Sequence, residues 1–247
     1  IARYADTQGY EKDAARSIWL YRDWVIRAFN SGMTFDEFTL QQIAGDLIPK
    51  PTTDSLIATG FHRNTMTNTE GGTSDEEFRS LAVKDRIQTT MQAWMGLTFG
   101  CAQCHEHKFD PITNKEYYRF YAFFNQTQDA DRGNDQPRLQ VGKVSTLVMR
   151  ELPANKRRTT RIHTRGNFRN PGNTVVPGTP AALHAMGKSL PRNRLGVAKW
   201  LVDSRNPLTA RVTVNRIWAR LFGVGLVETE EDFGTQGKLP SHPKLLD

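Results

Sequence analysis

The sequence predicts a mainly α-helical protein, made of a multi-helix domain, a small β-containing connector and a second helical segment. Apolar residues recur at three- and four-residue steps in several long stretches, whereas only two short stretches have a β-like composition. The chain of 247 residues is 38% hydrophobic and 24% charged, which is typical of a globular protein. We expect the helical domain over residues 1–135, the connector over 136–185, and the start of a truncated second helical domain over 186–247.

Capping signals and chain breakers set the expected helices of the first domain. Asp13 is expected to cap a helix over residues 13–29, and Thr34 with Glu37 forms a capping box for a second helix through about residue 47. A short helical turn over 54–59 precedes a loop over 61–72 that contains a Gly-Gly pair. Ser74 and Glu77 form another capping box, and the helix after it has the strongest periodicity in the chain.

That helix leads to the stretch that contains both cysteines, CAQCHEH over residues 101–107. A helix capped by Asn114 follows, with aromatic residues along one face. Beyond it we expect β-like stretches over 145–149 and 159–164, a Gly- and Pro-rich segment over 166–180, and helices over 193–201 and 208–222. The two amphipathic helices that bracket the cysteines carry apolar side chains suited to the walls of a flat cofactor site.

The spacing of the cysteines and the first histidine is typical of covalent haem attachment. Two thiols separated by two residues are able to form thioethers with the haem vinyl groups, and the adjacent imidazole reaches the iron from one face. The leading interpretation is a haem c bound through Cys101 and Cys104, with His105 as an axial ligand, in an electron-transfer component. His62 and Met66, in the 61–72 loop, are candidates for the opposite axial position.

Two other interpretations of the motif stay open. Cys101, Cys104, His105 and His107 are soft or borderline donors, which suits a zinc or iron site in a module for polysaccharide binding or hydrolysis. Such a site needs a second segment to complete its ligands, for which His62 is a candidate. In the third interpretation the thiols are an inert pair in a structural or interaction protein.

Charge and missing motifs limit the function further. The formal net charge is +7, and basic side chains are concentrated over residues 150–169, which we interpret as a solvated basic surface, with no nucleic-acid partner. No apolar run approaches the roughly 20 residues that a membrane-spanning helix needs. No P-loop, nucleophile-elbow or HExxH zinc motif occurs, so the sequence leaves open whether the protein is an enzyme.

Long motifs in the chain carry a family resemblance. The run MGLTFGCAQCHEHKFDPI over 95–112, together with YRDWVI over 21–26 and QIAGDL over 42–47, resembles the planctomycete-type cytochrome-c-associated domain of unknown function. The runs NPLTARV over 206–212, NRIW over 215–218 and DFG over 232–234 resemble the domain that usually follows it.

The resemblance implies a fragment of a large exported bacterial protein, located in the periplasm or otherwise exported, whose signal lies outside the fragment. As a partner, it implies either a separate redox protein or a cytochrome c domain upstream in the same polypeptide. The biochemical role of the family is not established, so the resemblance names no substrate.

Overall fold

The computed structural model describes residues 3–129 and 136–247 and confirms the mainly α-helical class, with 43% of the described residues helical. The described ranges form eight α-helices: α1 (Trp19–Asn30), α2 (Phe35–Ala44), α3 (Thr53–Ala58), α4 (Asp75–Met95), α5 (Asn114–Phe124), α6 (Arg194–Leu201), α7 (Thr209–Phe222) and α8 (Pro243–Leu246). Two small antiparallel sheets pair β1 (Arg138–Val141) with β2 (Val144–Leu147), and β3 (Thr160–His163) with β4 (Pro171–Val175). Within these ranges, no helix combines the length and the apolar character needed to cross a membrane.

The chain folds into two compact units that interleave in sequence. The first unit comprises Ile1–Arg86, Phe123–Thr159 and Leu190–Lys199. The second unit comprises Ile87–Ala122, Thr160–Ser189 and Trp200–Asp247, and therefore contains the cysteine motif. The domain boundaries expected near residues 135 and 185 divide the chain into consecutive segments, whereas the two units interleave, and the expected boundaries stay a prediction.

Helix α1 of the first unit begins later than its capping signal predicted. Asp13 has a left-handed φ of 37° and its side chain accepts a hydrogen bond from the Gly9 N–H at 2.6 Å. Asp13 therefore closes a turn instead of opening a helix. The helix starts at Trp19 and buries Tyr21 and Trp24 on its inner face.

The capping boxes predict the next helices more closely. The Thr34 hydroxyl accepts from the Glu37 N–H at 3.3 Å at the start of α2, as the sequence pattern predicted. Helix α3 continues directly into a 3₁₀ turn, Thr59–Arg63, so the expected loop begins three residues later than its composition suggested. His62 lies in this turn and is fully buried.

Two buried ionic clusters lie in the first unit. The Asp129 carboxylate lies between the guanidinium groups of Arg63 and Arg86, and all three side chains are fully buried. Burial raises the pKa of Asp129, but the positive charges of Arg86 and Arg63 outweigh burial and lower the pKa to about 2. In the second cluster, Arg194 donates to Asp46 Oδ2 at 2.6 Å.

In the second unit, polar side chains of α7 form hydrogen bonds to the end of α4 and to the loop that follows α7. Arg216 donates to the backbone carbonyls of Gln92, at 2.8 Å, and of Ala93. Asn215 accepts from the Val227 N–H at 2.7 Å and donates to the Val227 carbonyl at 2.9 Å. Asn215 and Arg216, the first two residues of the NRIW run, therefore make hydrogen bonds that require an amide and a guanidinium side chain, respectively.

The sheet β3–β4 brings a turn toward the cysteine motif. The sequence predicted β-like stretches where β2 and β3 lie, but it did not predict their partners β1 and β4. Strand β4 begins with Pro171 and Gly172, two residue types that are rare in strands. Thr160 pairs with Val175 and His163 with Pro171, so the intervening residues form an extended turn.

Candidate functional site

Both cysteines lie in or next to a single 3₁₀ turn, Phe99–Gln103, in the second unit. The side chains of Phe99 and Ala102 are fully buried and anchor the turn. Cys101 and Cys104 are free thiols exposed to solvent. The apolar residues therefore hold the turn while the two thiols face outward and are accessible to a reacting group.

Helix α5 forms the platform under this turn. Its cap is Thr113 rather than the expected Asn114, because the Thr113 hydroxyl accepts from the Glu116 N–H at 3.1 Å. The Asn114 side chain instead donates to the Ala102 carbonyl at 2.7 Å. One turn later along the helix, the Tyr118 hydroxyl donates to the Gln103 carbonyl at 2.9 Å.

The turn between β3 and β4 packs against the second cysteine. Gly166 has a left-handed φ of 73°, and a Cβ atom placed on it would lie 2.7 Å from Cys104 Sγ. Only glycine permits this backbone to approach the sulfur so closely. The preceding residue, Arg165, is also left-handed, with a φ of 53°.

His105 leaves one ring nitrogen available. Its Nδ1 lies within hydrogen-bond distance of the Glu106 carbonyl, and because a carbonyl only accepts, Nδ1 carries the proton. Within the described ranges no partner is found for Nε2, and the side chain is exposed. This is the arrangement of most metal-binding histidines, in which one N–H is held by a backbone carbonyl and the other nitrogen binds the metal.

His107 uses both ring nitrogens within the protein. Its Nε2 donates to the Thr98 carbonyl at 2.9 Å, and its Nδ1 accepts from the Asp110 N–H at 2.8 Å and the Phe109 N–H at 3.3 Å. The imidazole is only 3% exposed. Because Nδ1 accepts, the 3.8 Å contact between it and Asp110 Oδ2 is not a salt bridge of a charged imidazole. Binding a metal through His107 requires breaking these bonds.

An aromatic cluster lies beside Cys104. Tyr117 is fully buried, and in the described part of the chain no hydrogen-bond partner is found for its hydroxyl. Burial raises the pKa of Tyr117 well above its ordinary value, and the neighbouring Tyr118, Tyr121 and Cys104 add to the shift. Tyr117 stacks on Phe99 with ring centroids 5.4 Å apart.

The two other candidate ligands lie in the first unit. His62 is fully buried, no hydrogen-bond partner is found for either of its ring nitrogens among the described residues, and Met66 is 52% exposed. Burial holds the pKa of His62 well below its ordinary value. Their assignment as distal ligands stays a prediction. Across the described ranges, no group of three or more His, Cys, Asp or Glu side chains is arranged to hold a metal ion.

Three residues of the site were not identified from sequence alone. Gly166 lies in a segment interpreted only as a connector, although glycine is a general signal for turns. The sequence assigned no role to Tyr118, which lies outside the periodic aromatic face of its helix. Thr235 donates to Asp110 Oδ1 from its N–H, at 2.7 Å, and its hydroxyl, at 3.0 Å. Its position directly after the DFG run was the only signal available.

Comparisons with known families match both parts of the chain. PSCyt2, described as "Protein of unknown function (DUF1549)", matches residues 1–129, and PSD1, described as "Protein of unknown function (DUF1553)", matches residues 193–247. Searches of curated proteins and of solved structures gave no match. The two matches confirm the domain pair that the sequence motifs resemble. Since the PSCyt2 match covers more than half of the chain, the protein belongs to this planctomycete-type, cytochrome-associated family of unknown function, with a PSD1 match following on the same polypeptide.

Proposed function

We propose that the chain carries a haem c bound through thioethers to Cys101 and Cys104, with His105 Nε2 as an axial ligand, and serves as an electron-transfer component. The observation that carries the proposal is the state of His105, whose Nδ1–H is held by a backbone carbonyl while Nε2 points to no protein partner in the described ranges. A haem iron supplies reversible one-electron chemistry when bound.

The residues of the turn fit such a group. Both thiols are free and exposed, as attachment requires. In each attachment the S–H adds across one vinyl C=C: a C–S bond forms, the hydrogen goes to the other vinyl carbon, and no oxidant is consumed. The buried Tyr117, whose hydroxyl has no partner among the described residues, lies near Cys104 and keeps the surroundings of the sulfur partly apolar.

The roles of the chain's own residues follow from their contacts. Cys101 and Cys104 would hold the group on the turn, and His105 would supply an imidazole nitrogen to its iron. The Gly166 backbone covers one side of the Cys104 sulfur and keeps that side from solvent. The proposal places the protein in the periplasm or another exported location, with a redox protein or an upstream cytochrome c domain as its partner.

The zinc or iron interpretation is the alternative, together with its polysaccharide partner. It needs His107, or a ligand from elsewhere, as a further donor. His107 has both ring nitrogens committed to Thr98, Phe109 and Asp110, so this interpretation requires a rearranged loop. The haem interpretation needs only Cys101, Cys104 and His105 as they stand, and is therefore the one we favour.

One experiment separates these functions. The protein is expressed with and without periplasmic haem-maturation machinery, and haem is stained after denaturing electrophoresis while metals are measured by elemental analysis. We expect a haem-positive band that is lost in a Cys101→Ser/Cys104→Ser variant. One zinc or non-haem iron per chain, lost in Cys104→Ser, would support the alternative, and neither haem nor metal would support an inert dithiol.

A further inference from the structure

We infer that His107 and Asp110 are positioning residues that hold the cysteine turn in place for the cofactor, and that residues 233–235 of the PSD1 match anchor them. The inference rests on the proposed function for its cofactor, but its structural part concerns contacts that exist without one. All of the residues involved belong to the second unit.

The imidazole of His107 joins the two ends of the loop that contains the cysteines. Thr98, which accepts from Nε2, comes directly before the 3₁₀ turn, and Asp110, which donates to Nδ1, comes after the motif. The His107 N–H also donates to the Ile112 carbonyl at 3.0 Å. A buried side chain bonded to both ends restricts the position of everything between them, including His105.

The Asp110 carboxylate continues this connection to residues 234 and 235. Its Oδ1 accepts two hydrogen bonds from Thr235. A Cβ atom on Gly234 would lie 2.6 Å from both carboxylate oxygens, so glycine is required for the approach. A carboxylate that accepts two donors in a buried position is held in one orientation, and its backbone N–H is therefore held against His107.

A second contact fixes the same segment at the other end of the loop. The Phe233 N–H donates to the Gly96 carbonyl at 2.7 Å. Gly96 has a left-handed φ of 60°, and a Cβ atom there would lie 2.9 Å from the Phe233 ring. Residues 233–235 therefore contact the chain both before and after the cysteine turn, at Gly96 and at Asp110.

These contacts give His107 and Asp110 a role that an ordinary haem-attachment motif does not need. They also divide the site between the two matched families: the cofactor-binding residues lie in PSCyt2 and part of their support lies in PSD1. A shift of the loop moves the His105 imidazole relative to the two thioether sulfurs. We therefore expect loss of the support to change the iron environment and not only the stability.

The test compares holoprotein variants of His107. Because an Asn amide reaches the position of Nδ1 and a Gln amide that of Nε2, His107→Asn keeps the acceptor for Asp110 and His107→Gln keeps the donor to Thr98. His107→Ala removes both. The exposed His242, whose Nδ1 lies 3.1 Å from the hydroxyl of its neighbour Ser241, provides the matched control His242→Ala.

The readouts are haem content per chain, the visible and electron paramagnetic resonance spectra, and the reduction potential. We expect His107→Ala to change the iron spectrum and to shift the potential, with partial recovery in His107→Asn or His107→Gln. Thr235→Val, which keeps the backbone donor and the side-chain shape, should shift the potential in the same direction by less. Full haem content with an unchanged spectrum and potential in His107→Ala would overturn the inference.

A measurement on protein made without haem separates this inference from the proposed function. Nitrogen-15 NMR of the wild type should show His107 with its proton on Nε2, and exchange of the Asp110 amide should be roughly two- to tenfold faster in His107→Ala, as loss of one hydrogen bond implies. A proton on Nδ1, or unchanged exchange, would overturn the positioning role even if haem is present. If no haem binds but the tautomer and exchange agree, only the proposed function fails.

Discussion

His105 and His107, two residues apart, hold opposite tautomers. His105 carries its proton on Nδ1, which faces the Glu106 carbonyl, whereas His107 carries it on Nε2, which donates to the Thr98 carbonyl. The first histidine therefore has a nitrogen available for a ligand, and the second has none. The backbone carbonyls around the cysteine turn thus commit both ring nitrogens of one histidine to structural contacts and leave one nitrogen of the other available.

The close approach of Gly166 to Cys104 makes a prediction about stability. Gly166→Ala adds a Cβ 2.7 Å from the sulfur at a left-handed φ, so the sulfur or the turn must move. Gly142→Ala is the matched control, since Gly142 is also left-handed but has no atom within 4 Å of the added Cβ. We expect Gly166→Ala to lower the free energy of unfolding by about 0.5–1.5 kcal/mol more than the control, because the Cys104 side chain must leave its rotamer in addition to the shared backbone cost.

Urea unfolding measures this difference, and the rate of Cys104 alkylation by iodoacetamide, followed by mass spectrometry, reports on the sulfur itself. Alkylation should change in Gly166→Ala and not in Gly142→Ala. Equal unfolding free energies and equal alkylation rates in the two variants would show that the turn makes no close steric contact with the Cys104 sulfur.

His62 makes a prediction about pH. Burial, with Arg86 and Arg194 adding to the effect, holds the pKa of the folded imidazole well below its ordinary 6.5. Since the unfolded chain binds a proton below about pH 6.5 and the folded chain does not, stability is complete above that pH and falls below it. The loss from this one group approaches about 1.4 kcal/mol per pH unit.

We expect the unfolding free energy of the wild type to fall relative to His62→Phe between pH 7 and pH 5. The phenyl ring keeps the contacts with Phe61 and Phe124, whose ring centroids lie 4.9 and 5.2 Å from that of His62. His242→Ala, a substitution at an exposed position, is the control. Parallel curves for the wild type and His62→Phe would contradict the burial of a neutral imidazole.

The buried cluster around Arg194 makes a third prediction. Its guanidinium donates to Asp46 Oδ2 at 2.6 Å and lies 3.2 Å from Glu151 Oε2, and it is fully buried. Arg194→Met leaves two buried carboxylates without a cation, so the free energy of unfolding should fall by about 3–5 kcal/mol. The surface pair of Arg205 and Asp203 gives the control Arg205→Met, which should change stability little because solvent screens it.

Urea unfolding of both variants at neutral pH checks this expectation. An Arg194→Met protein that unfolds at the same urea concentration as Arg205→Met would mean that the cluster is solvated or dispensable.

The parts of the fold that the sequence predicts best depend on local interactions. The extent of α4 follows from its capping signal and apolar period, and α7 ends at Gly223, whose φ of 88° is the stop that glycine signals. By contrast, the prediction that Asp13 caps a helix is wrong, because an aspartate side chain also closes turns, as Asp13 does here. Strand β4 could not be foreseen from Pro171 and Gly172, since its pairing with β3 depends on the folded chain.

The same distinction applies to the candidate site. The spacing of Cys101, Cys104 and His105 is a local pattern, and it is enough to suggest the chemistry. The role of His107 depends on which carbonyl its ring meets, and the support of Asp110 comes from Thr235, 125 residues further along the chain. No local sequence pattern predicts the contact between Thr235 and Asp110, although the DFG run lies directly before Thr235.

The most direct test of the account is the intact mass and iron spectrum of the protein produced with active haem-maturation machinery. The wild type should gain the mass of one haem under denaturing conditions, and Cys101→Ser/Cys104→Ser should gain none. His105→Ala should keep the covalent mass but change the iron spectrum, whereas His107→Asn should keep the covalent mass and change the spectrum less. A wild-type protein of unmodified mass, made beside a control cytochrome that does acquire haem, would contradict the central claim.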